Sequence, residues 1–374
     1  MTVVEGQIWT PLGWQAGRLT FEATITAFEA LPQAPDEWIA PGFIDVHVHG
    51  GGGADVMDGP DGIRQMARFH AGHGTTALLA TTITRPWEDV LQALRAVRDV
   101  SRDQRSGEAQ VLGAHLEGPF INPGKLGAQP PFALNPSAAR LQQVLESGAL
   151  RVVTLAPELP GALAASAVLA RSGVRVSFGH TLATAAEAAE VISAVQAAGG
   201  TVAGTHFFNA MTGFSGREPG VVGALLARPD TFAEVILDTH HVHLESFRAL
   251  MQAKPHRTLL ITDAMRAAGM PDGRYELGGQ PVLVQAGQAR LPSGSLAGSL
   301  LTMDQAVRQA VRAGLSLHQA VSLASVVPAQ YLNLTDRGDV QPGQRADLVI
   351  LGQQGELHHV YLAGRLNLRS HTIT

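Results

Sequence analysis

"FIDVHVH", residues 43–49, is the stretch that decides the fold. Apolar and polar residues alternate along it, which is typical of a β-strand with one face toward a core. Side chains two positions apart lie on the same face of a strand, so His47 and His49 can bind one ion together. Four glycines, residues 50–53, follow at once and allow a sharp turn with room beside it for a ligand. The stretch therefore predicts a buried strand that ends in half of a metal site.

Seven more short apolar runs follow and alternate with segments of helical spacing. The predicted strands are residues 42–48, 76–82, 111–116, 152–156, 174–178, 201–205, 233–237 and 258–262. Helical spacing is clear in residues 87–102, 163–172, 183–198 and 244–253. Eight strands that alternate with helices predict a closed (β/α)₈ barrel with a parallel sheet. An open doubly wound sheet is the alternative, and the count of eight favours closure.

The two chain ends differ from this pattern. Residues 1–41 and 340–374 contain short strand-like pieces separated by turn residues, too few at either end to bury a core alone. We expect both ends to combine in a small β-sandwich domain beside a catalytic barrel that spans residues 42–339. A β-hairpin insertion is expected at about residues 270–295, after the eighth strand.

The composition excludes several kinds of partner. The 374 residues carry 27 basic and 32 acidic side chains, which gives a net charge of −5. This balance, without a basic tract, gives no reason to expect nucleic acid or an anionic membrane as a partner. No apolar run is long enough to span a bilayer and no signal peptide is recognisable at the first residues, so we expect a cytoplasmic protein. Cysteine is absent, so any metal must be held by His, Asp or Glu.

Polar residues stand at the predicted C-terminal ends of the strands, where barrels of this kind hold their active sites. They are His47, His49, Glu117, His180, His206, His240, His241, His243 and Asp263. Imidazole and carboxylate groups on one rim predict a divalent-metal site. A lone histidine is more often a hydrogen-bonded core or surface residue. That interpretation applies to His70, His73, His115, His256, His318, His358 and His359.

Several segments make the chain similar to a known family. "PGFIDVHVHG" (41–50) and "PGQRADLVIL" (342–351) resemble general signatures of the amidohydrolase superfamily. "HLEGPFINP" (115–123), "SFGHT" (177–181), "THFFNAM" (205–211), "GREPG" (216–220), "ITDA" (261–264) and "LAGSLLTM" (296–303) resemble segments of its N-acetylglucosamine-6-phosphate deacetylases. The likeness covers nearly the whole chain, and the segments occur in the same order.

The resemblance implies a set of site residues. It assigns the metal common to the family to Glu117, His180 and His206, a second ion to His47 and His49, and the catalytic acid/base to Asp263. It places substrate contacts at Ala128, Gln129, Asn209, Ala210, Arg217, His241, Leu296, Ala297 and Gly298, with Arg217 and His241 on the phosphate. It also implies one or two divalent ions per subunit, zinc or iron, and a homodimer in which Arg217 reaches the neighbouring site.

One residue departs from the family pattern. The family has a histidine that contacts the sugar where this chain has Gln129, in "KLGAQPPF" (125–132). Glutamine keeps a hydrogen-bond donor but never carries a positive charge. The departure therefore changes what position 129 can offer a substrate.

The resemblance implies hydrolysis of the acetamide of N-acetyl-D-glucosamine 6-phosphate, in amino-sugar catabolism and cell-wall sugar recycling. An alternative is another amidohydrolase that acts on a related N-acylated amino sugar or a cyclic amide. Members that act on cyclic amides typically bridge two metals with a carboxylated lysine after strand four. Here that strand ends in "LAPEL" (155–159), and neither Lys125 nor Lys254 lies at a predicted strand end. A non-catalytic sugar-phosphate-binding protein is the other alternative, and the intact ligands and Asp263 argue against it.

Overall fold

The computed structural model describes residues 1–367, so residues 368–374 of the predicted terminal domain lie outside the described part of the chain. The strands, in chain order, are β1 (Thr2–Thr10), β2 (Gly13–Phe21), β3 (Ile25–Ala30), β4 (Trp38–Pro41), β5 (Phe43–Val48), β6 (Gly50–Gly51), β7 (Ala54–Asp55), β8 (Thr75–Thr82), β9 (Gln110–Glu117), β10 (Leu150–Leu155), β11 (Arg175–Phe178), β12 (Val202–Gly204), β13 (Phe232–Ile236), β14 (Thr258–Ile261), β15 (Gly273–Leu277), β16 (Gln280–Gln285), β17 (Gln288–Arg290), β18 (Leu348–Leu351), β19 (Leu357–Leu362) and β20 (Arg365–Asn367).

The helices connect and cover these strands. They are α1 (Pro60–Ala71), α2 (Trp87–Arg102), α3 (Ala138–Glu146), α4 (Ala162–Arg171), α5 (Ala185–Ala197), α6 (Gly220–Leu226), α7 (Leu244–Ala253), α8 (Met303–Arg312), α9 (Leu317–Ala324) and α10 (Val326–Leu332), with short 3₁₀ helices at Val56–Asp58 and Pro123–Lys125. Within residues 1–367, none of the helices is both long and apolar enough to cross a membrane.

The centre of the fold is a sheet of eight parallel strands. They pair in the order β5, β8, β9, β10, β11, β12, β13 and β14. At the seam between the first and last strands, the Asp263 N–H donates to the His47 carbonyl at 2.8 Å, and the Thr262 hydroxyl donates to the Asp45 carboxylate. The sheet is thus a nearly closed barrel, and helices α1–α7 connect its successive strands. The predicted (β/α)₈ barrel is confirmed.

The barrel strands form where the sequence has its apolar runs. Every residue of β5 and β8 is buried, as expected for parallel strands that are covered on one side by helices and on the other by the barrel interior. All eight predicted strands overlap these strands, with ends that agree within two residues. The predicted helices 87–102 and 244–253 coincide with α2 and α7.

Both chain ends contribute to a second, separate sheet, as expected. Its seven strands lie in the order β20, β19, β18, β4, β1, β2 and β3. The antiparallel ladder between β4 and β18 joins the two ends, and β4 leads directly into the first barrel strand. Strands β15–β17 form a third, three-stranded antiparallel sheet within the segment expected to hold the insertion. The division into domains at residues 41–42 and 339–340 stays a prediction.

The glycine run after β5 is required by close packing. A Cβ atom on Gly50 would lie 2.6 Å from the Ala54 carbonyl oxygen and 2.7 Å from the Arg266 nitrogen. One on Gly51 would lie 2.5 Å from a ring carbon of Phe69. Gly50 and Gly51 therefore make room for neighbouring protein atoms, whereas room for a ligand beside the run stays a prediction.

Candidate active site

The polar residues of the barrel rim follow the strand ends closely. Glu117 is the last residue of β9, whereas His180, His206 and Asp263 each stand two residues beyond the ends of β11, β12 and β14. These three residues have positive φ values of 49°, 31° and 50°. Such backbone conformations cost non-glycine residues of order 1–3 kcal/mol and cluster at functional sites. The backbone is thus strained at three of the residues that the sequence singled out.

Glu117, His180 and His206 form the first ligand group. Glu117 Oε1 lies 3.2 Å from His180 Nε2 and 3.0 Å from His206 Nε2, and the two ring nitrogens are 3.1 Å apart. The His180 Nδ1–H donates to the Lys125 carbonyl at 2.9 Å, which leaves its Nε2 with a lone pair. Ligand atoms of a tetrahedral zinc ion, each at ~2.0–2.1 Å, lie about 3.3 Å apart. The spacing of this group therefore fits one divalent ion.

His47, His49 and Asp263 form the second ligand group. The two Nε2 atoms are 3.3 Å apart, and Asp263 Oδ1 lies 3.4 Å from His47 Nε2 and 3.2 Å from His49 Nε2. Each ring is fixed from behind, because His47 Nδ1 bonds to Glu234 at 3.0 Å and His49 Nδ1 bonds to the Thr81 carbonyl at 3.1 Å. Such outer partners set the tautomer of a ligating histidine and orient its ring. Both Nε2 atoms are thereby directed at the same point as Asp263.

Glu117 lies between the two ligand groups. Its Oε2 is 3.1 Å from His49 Nε2, while its Oε1, the atom shared with the first group, is 3.7 Å from His47 Nε2. One carboxylate thus reaches members of both groups. The structure brings all five predicted metal ligands and Asp263 into one buried cluster.

The charges of this cluster suit a bound cation. Burial alone would raise the pKa of Glu117 and of Asp263, but the facing histidines outweigh burial and hold both pKa values below the usual range. Burial lowers the pKa of His49, yet the same two carboxylates raise it to about 9. Ionised carboxylates and neutral imidazoles are the donor set of zinc and other first-row divalent ions, so a bound cation would take the place of the His49 proton. The residues present therefore fit a metal centre.

A cavity of about 400 Å³ opens above the cluster. Twelve of the predicted site residues line it: His49, Ala128, Gln129, Glu117, His180, His206, Asn209, Ala210, His241, Asp263, Leu296 and Gly298. His47 is fully buried in the cluster, and Ala297 is fully buried against the inserted sheet. Arg217 is exposed and lies outside the lining of its own chain's cavity. The volume is within the ~300–1,000 Å³ typical of small-molecule sites.

His241 approaches the cavity from the loop after β13. Its Nδ1 bonds to the Asp238 carboxylate at 2.7 Å, and the same carboxylate accepts the backbone N–H groups of His240 and His241. Burial would raise the pKa of Asp238, but these bonds lower it. An ionised Asp238 therefore fixes the orientation of the His241 ring at the cavity wall.

Sequence reasoning missed the residues that support the ligands from behind. Glu234 is fully buried in the middle of β13 and holds His47, and its second oxygen, Oε1, has no hydrogen-bond partner within the described residues. The sequence signal that could have identified Glu234 is an acidic residue inside an otherwise apolar strand. His115, also near this pair, is a core residue as predicted, because its two ring nitrogens bond to the Val46 carbonyl and the Thr154 hydroxyl.

The two lysines do not resemble a metal bridge. Lys254 follows α7 and its ammonium donates to the Arg228 carbonyl, the Thr231 carbonyl and the Thr231 hydroxyl. Lys125 lines the cavity from the loop after β9, not from the end of strand four, which is β10. The arrangement expected of a carboxylated-lysine enzyme is therefore not formed by these residues.

Comparison with known proteins identifies the family. Residues 38–366 match the amidohydrolase family. The chain belongs to that family. This amidohydrolase is 40% identical over 356 residues to the N-acetylgalactosamine-6-phosphate deacetylase of Escherichia coli O157:H7, with 92% of this chain and 93% of that protein covered. It is 40% identical over 340 residues to the N-acetylglucosamine-6-phosphate deacetylase of Lysinibacillus sphaericus, with 89% and 86% covered.

Solved structures agree with this assignment. The amidohydrolase superposes with a TM-score of 0.91, at 36% identity, on a mutant of N-acetyl-D-glucosamine-6-phosphate deacetylase from Mycobacterium smegmatis in complex with N-acetyl-D-glucosamine-6-phosphate. The match covers 98% of this chain and 99% of that one. The resemblance noted in the sequence is confirmed, as is the prediction of a hydrolase of this family.

Proposed function

We propose that this amidohydrolase hydrolyses the acetamide of N-acetyl-D-glucosamine 6-phosphate to D-glucosamine 6-phosphate and acetate. The observation that carries the proposal is the Asp263 carboxylate, 3.2 Å from His49 Nε2 at the floor of a cavity of about 400 Å³. The relatives with this activity, which match nearly the whole chain, support the choice of substrate. We place the reaction in amino-sugar catabolism and cell-wall sugar recycling, in the cytoplasm.

The metal centre would hold one or two divalent ions per subunit, zinc or iron. Glu117, His180 and His206 would hold one ion, and His47 and His49 would hold a second with Glu117 shared. A bound divalent ion supplies Lewis-acid polarisation of a carbonyl and lowers the pKa of a bound water. The number of ions depends on this chain's own His47 and His49, since both are oriented as ligands.

Asp263 would move the protons of the reaction. It begins as a carboxylate: His47 and His49 facing it hold its pKa below the usual range against the effect of burial, and a divalent cation held by those histidines would act in the same direction. It accepts a proton from the attacking water as the water oxygen bonds to the amide carbon. It then returns that proton to the amide nitrogen as the carbon–nitrogen bond breaks, which makes the amine a better leaving group. The products are the free amino sugar and acetate.

The loops after β12 and β13 would bind the phosphate at the cavity wall. His241, held by Asp238, and Asn209 both line the cavity on loops next to the metal ligands. Arg217 lies on the same loop as Asn209 but outside its own cavity, which suits an arginine that reaches the site of a partner subunit. Arginine matches phosphate oxygens with two parallel hydrogen bonds. We therefore propose a homodimer with shared sites.

A second candidate substrate is N-acetyl-D-galactosamine 6-phosphate. The Escherichia coli relative, which carries that specificity in its name, is as similar to this chain as the N-acetylglucosamine-6-phosphate enzyme of Lysinibacillus sphaericus. The two sugars share the acetamide and the phosphate, so the same metal centre and anchor serve both. A cyclic amide is a weaker candidate, because neither lysine is placed to bridge two metals.

Acetate release from purified enzyme of known metal content tests the proposal. The panel contains both N-acetylated hexosamine 6-phosphates, unphosphorylated N-acetylglucosamine and a cyclic amide, whose ring opening is followed by chromatography because it releases no acetate. We expect turnover of a phosphorylated sugar and the highest kcat/KM for N-acetylglucosamine 6-phosphate. Metal-loaded enzyme that releases no acetate from either phosphorylated sugar would disprove the proposed reaction.

The variant Arg217→Ala tests the phosphate anchor. We expect at least a ~10-fold lower kcat/KM for the phosphorylated sugar and little change for unphosphorylated N-acetylglucosamine, because remote binding energy is used to orient the amide. If Arg217 only formed an exposed ion pair with Glu218, its loss would cost on the order of 0–1 kcal/mol and affect both substrates alike. Parallel kinetics with the two substrates distinguish these outcomes.

Mixed dimers tell which subunit supplies the arginine. Arg217→Ala protein combined with Asp263→Asn protein can form one site in which both groups are intact, provided that Arg217 reaches across. We expect partial recovery of activity on mixing. An absence of recovery, with subunit exchange verified by mass spectrometry, would place Arg217 at its own subunit's site.

A further inference from the structure

The loop formed by residues 122–130, which we call the ligand loop, follows β9 and lines the cavity. Two of its groups face metal-ligand side chains. The Lys125 carbonyl accepts the His180 Nδ1–H at 2.9 Å, and the Gln129 amide donates to Glu117 Oε2 at 2.6 Å. The ligand loop therefore supports two of the three residues of the first ligand group.

The orientation of the Gln129 amide follows from its other partner. Its oxygen, Oε1, accepts the Thr84 backbone N–H at 2.7 Å. A backbone N–H can only donate, so Oε1 must face Thr84 and the NH₂ group must face Glu117. Thr84 stands just beyond β8, the second barrel strand, which anchors the amide to the barrel. Gln129 is only 6% exposed, so it is held as part of the interior.

The hydrogen bond from Gln129 constrains the Glu117 carboxylate. A neutral donor on an ionised acceptor gives a charge-assisted bond, which is about twice as strong as a neutral one. With Oε2 held by Gln129, Oε1 is directed at His180 and His206, at 3.2 Å and 3.0 Å. A carboxylate oxygen has two lone pairs, so this bond still leaves Oε2 able to accept a second partner on the His49 side.

Glutamine at position 129 differs in kind from the histidine that the family resemblance predicts there. A histidine can gain a proton and can present either ring nitrogen as the donor. The Gln129 amide is a donor without charge at every pH, and both ends of it have protein partners. These two hydrogen bonds connect Gln129 to the metal centre, whereas a residue that only contacted the sugar would need neither of them.

We propose that Gln129 is a positioning residue of the metal centre. It holds Glu117 with Oε1 toward His180 and His206, and thereby strengthens the binding of a divalent ion by those three residues. This role replaces the sugar contact that the resemblance implied. The inference rests on the metal centre of the proposed function but not on the identity of the sugar, since the decisive measurement is made without substrate.

Two variants on neighbouring hydrogen bonds test the inference. Gln129→Met keeps an unbranched side chain of similar length but removes the donor to Glu117. Gln280→Met, the matched control, removes the 2.7 Å bond from Gln280 to the Ala128 carbonyl, one residue away on the same loop. Zn²⁺ affinity is measured on metal-free protein by competition with a chromophoric chelator. Outer partners of metal ligands typically contribute ~10–100-fold to affinity, so we expect a loss of that size in Gln129→Met alone.

A spectroscopic readout accompanies the affinity. We expect the visible absorption bands of Co²⁺-loaded protein to shift in Gln129→Met and not in Gln280→Met, because only the first variant frees Glu117. The melting temperatures of the metal-free proteins check that each variant is folded. The inference is overturned if Gln129→Met binds Zn²⁺ like the wild type and instead raises KM for the sugar phosphate. It is also overturned if both variants lose affinity equally, which would mean that the bond merely orders the loop.

Discussion

The variant Asp263→Asn is expected to bind metal and substrate almost normally and to lose turnover by ~10²–10⁴-fold or more. Asparagine keeps the shape of the side chain and one oxygen, so the contacts to His47 and His49 need not be lost. It cannot accept the water's proton, and it has no acidic proton to give to the amide nitrogen. Both proton transfers of the proposed reaction therefore fail together. Steady-state acetate release with metal content measured on the same sample checks this expectation.

A second buried aspartate provides the control. Asp304 on α8 is 4% exposed and bonds to the Thr302 hydroxyl, with His73 at 3.3 Å, away from the metal ligands. We expect Asp304→Asn to lower the melting temperature while kcat stays within about twofold of the wild type, because it removes charge from a buried site without touching the reacting groups. Equal losses of kcat in the two variants, or near-normal turnover in Asp263→Asn, would exclude Asp263 as the acid/base.

The sequence predicted the fold well because the barrel repeats a simple pattern. The second barrel strand, β8, is buried on both faces, so a run of apolar and threonine residues without a charge, such as residues 76–82, identifies it without knowledge of its neighbours. The carboxyl ends of parallel strands meet on one rim, so the convergence of Glu117 and Asp263 followed from the count of strands alone. The left-handed backbone conformation at Asp263, by contrast, is not indicated by any sequence pattern.

The supporting contacts could not be predicted, because they join residues that are distant along the chain. Glu234 is 187 positions from His47, and only the closure of the barrel brings β13 behind β5. Gln129 faces Glu117, and not a sugar, because the Thr84 N–H holds the other end of its amide. The position of that N–H relative to Gln129 is set by folding and cannot be read from residue spacing. The glycine run has a similar explanation, since its close neighbours include Arg266 and Phe69.

Removal of Glu117 is expected to have the other very large effect, because its carboxylate is the one group in the cluster that both ligand groups share. Oε1 contacts His206 and His180, and Oε2 contacts His49. Glu117→Ala takes a ligand from the first group and leaves its imidazoles with no carboxylate between them. Loss of an outer partner alone costs ~10–100-fold in affinity, so loss of this inner ligand should exceed ~100-fold. We expect the purified variant to contain almost no metal and to lack turnover.

His47→Ala separates the two ligand groups by elemental analysis. His47 belongs to the second group and lies 3.7 Å from Glu117 Oε1, so its removal should cost at most one ion and leave the ion of the first group in place.

Glu108→Ala serves as the control for the loss of a buried glutamate, because Glu108 pairs with Arg64 and Arg68 outside the metal cluster. That variant should lose stability but keep its metal. A full complement of metal in Glu117→Ala would show that the centre does not depend on this carboxylate. Equal metal loss from the Glu117 and Glu108 variants would instead trace the effect to general unfolding.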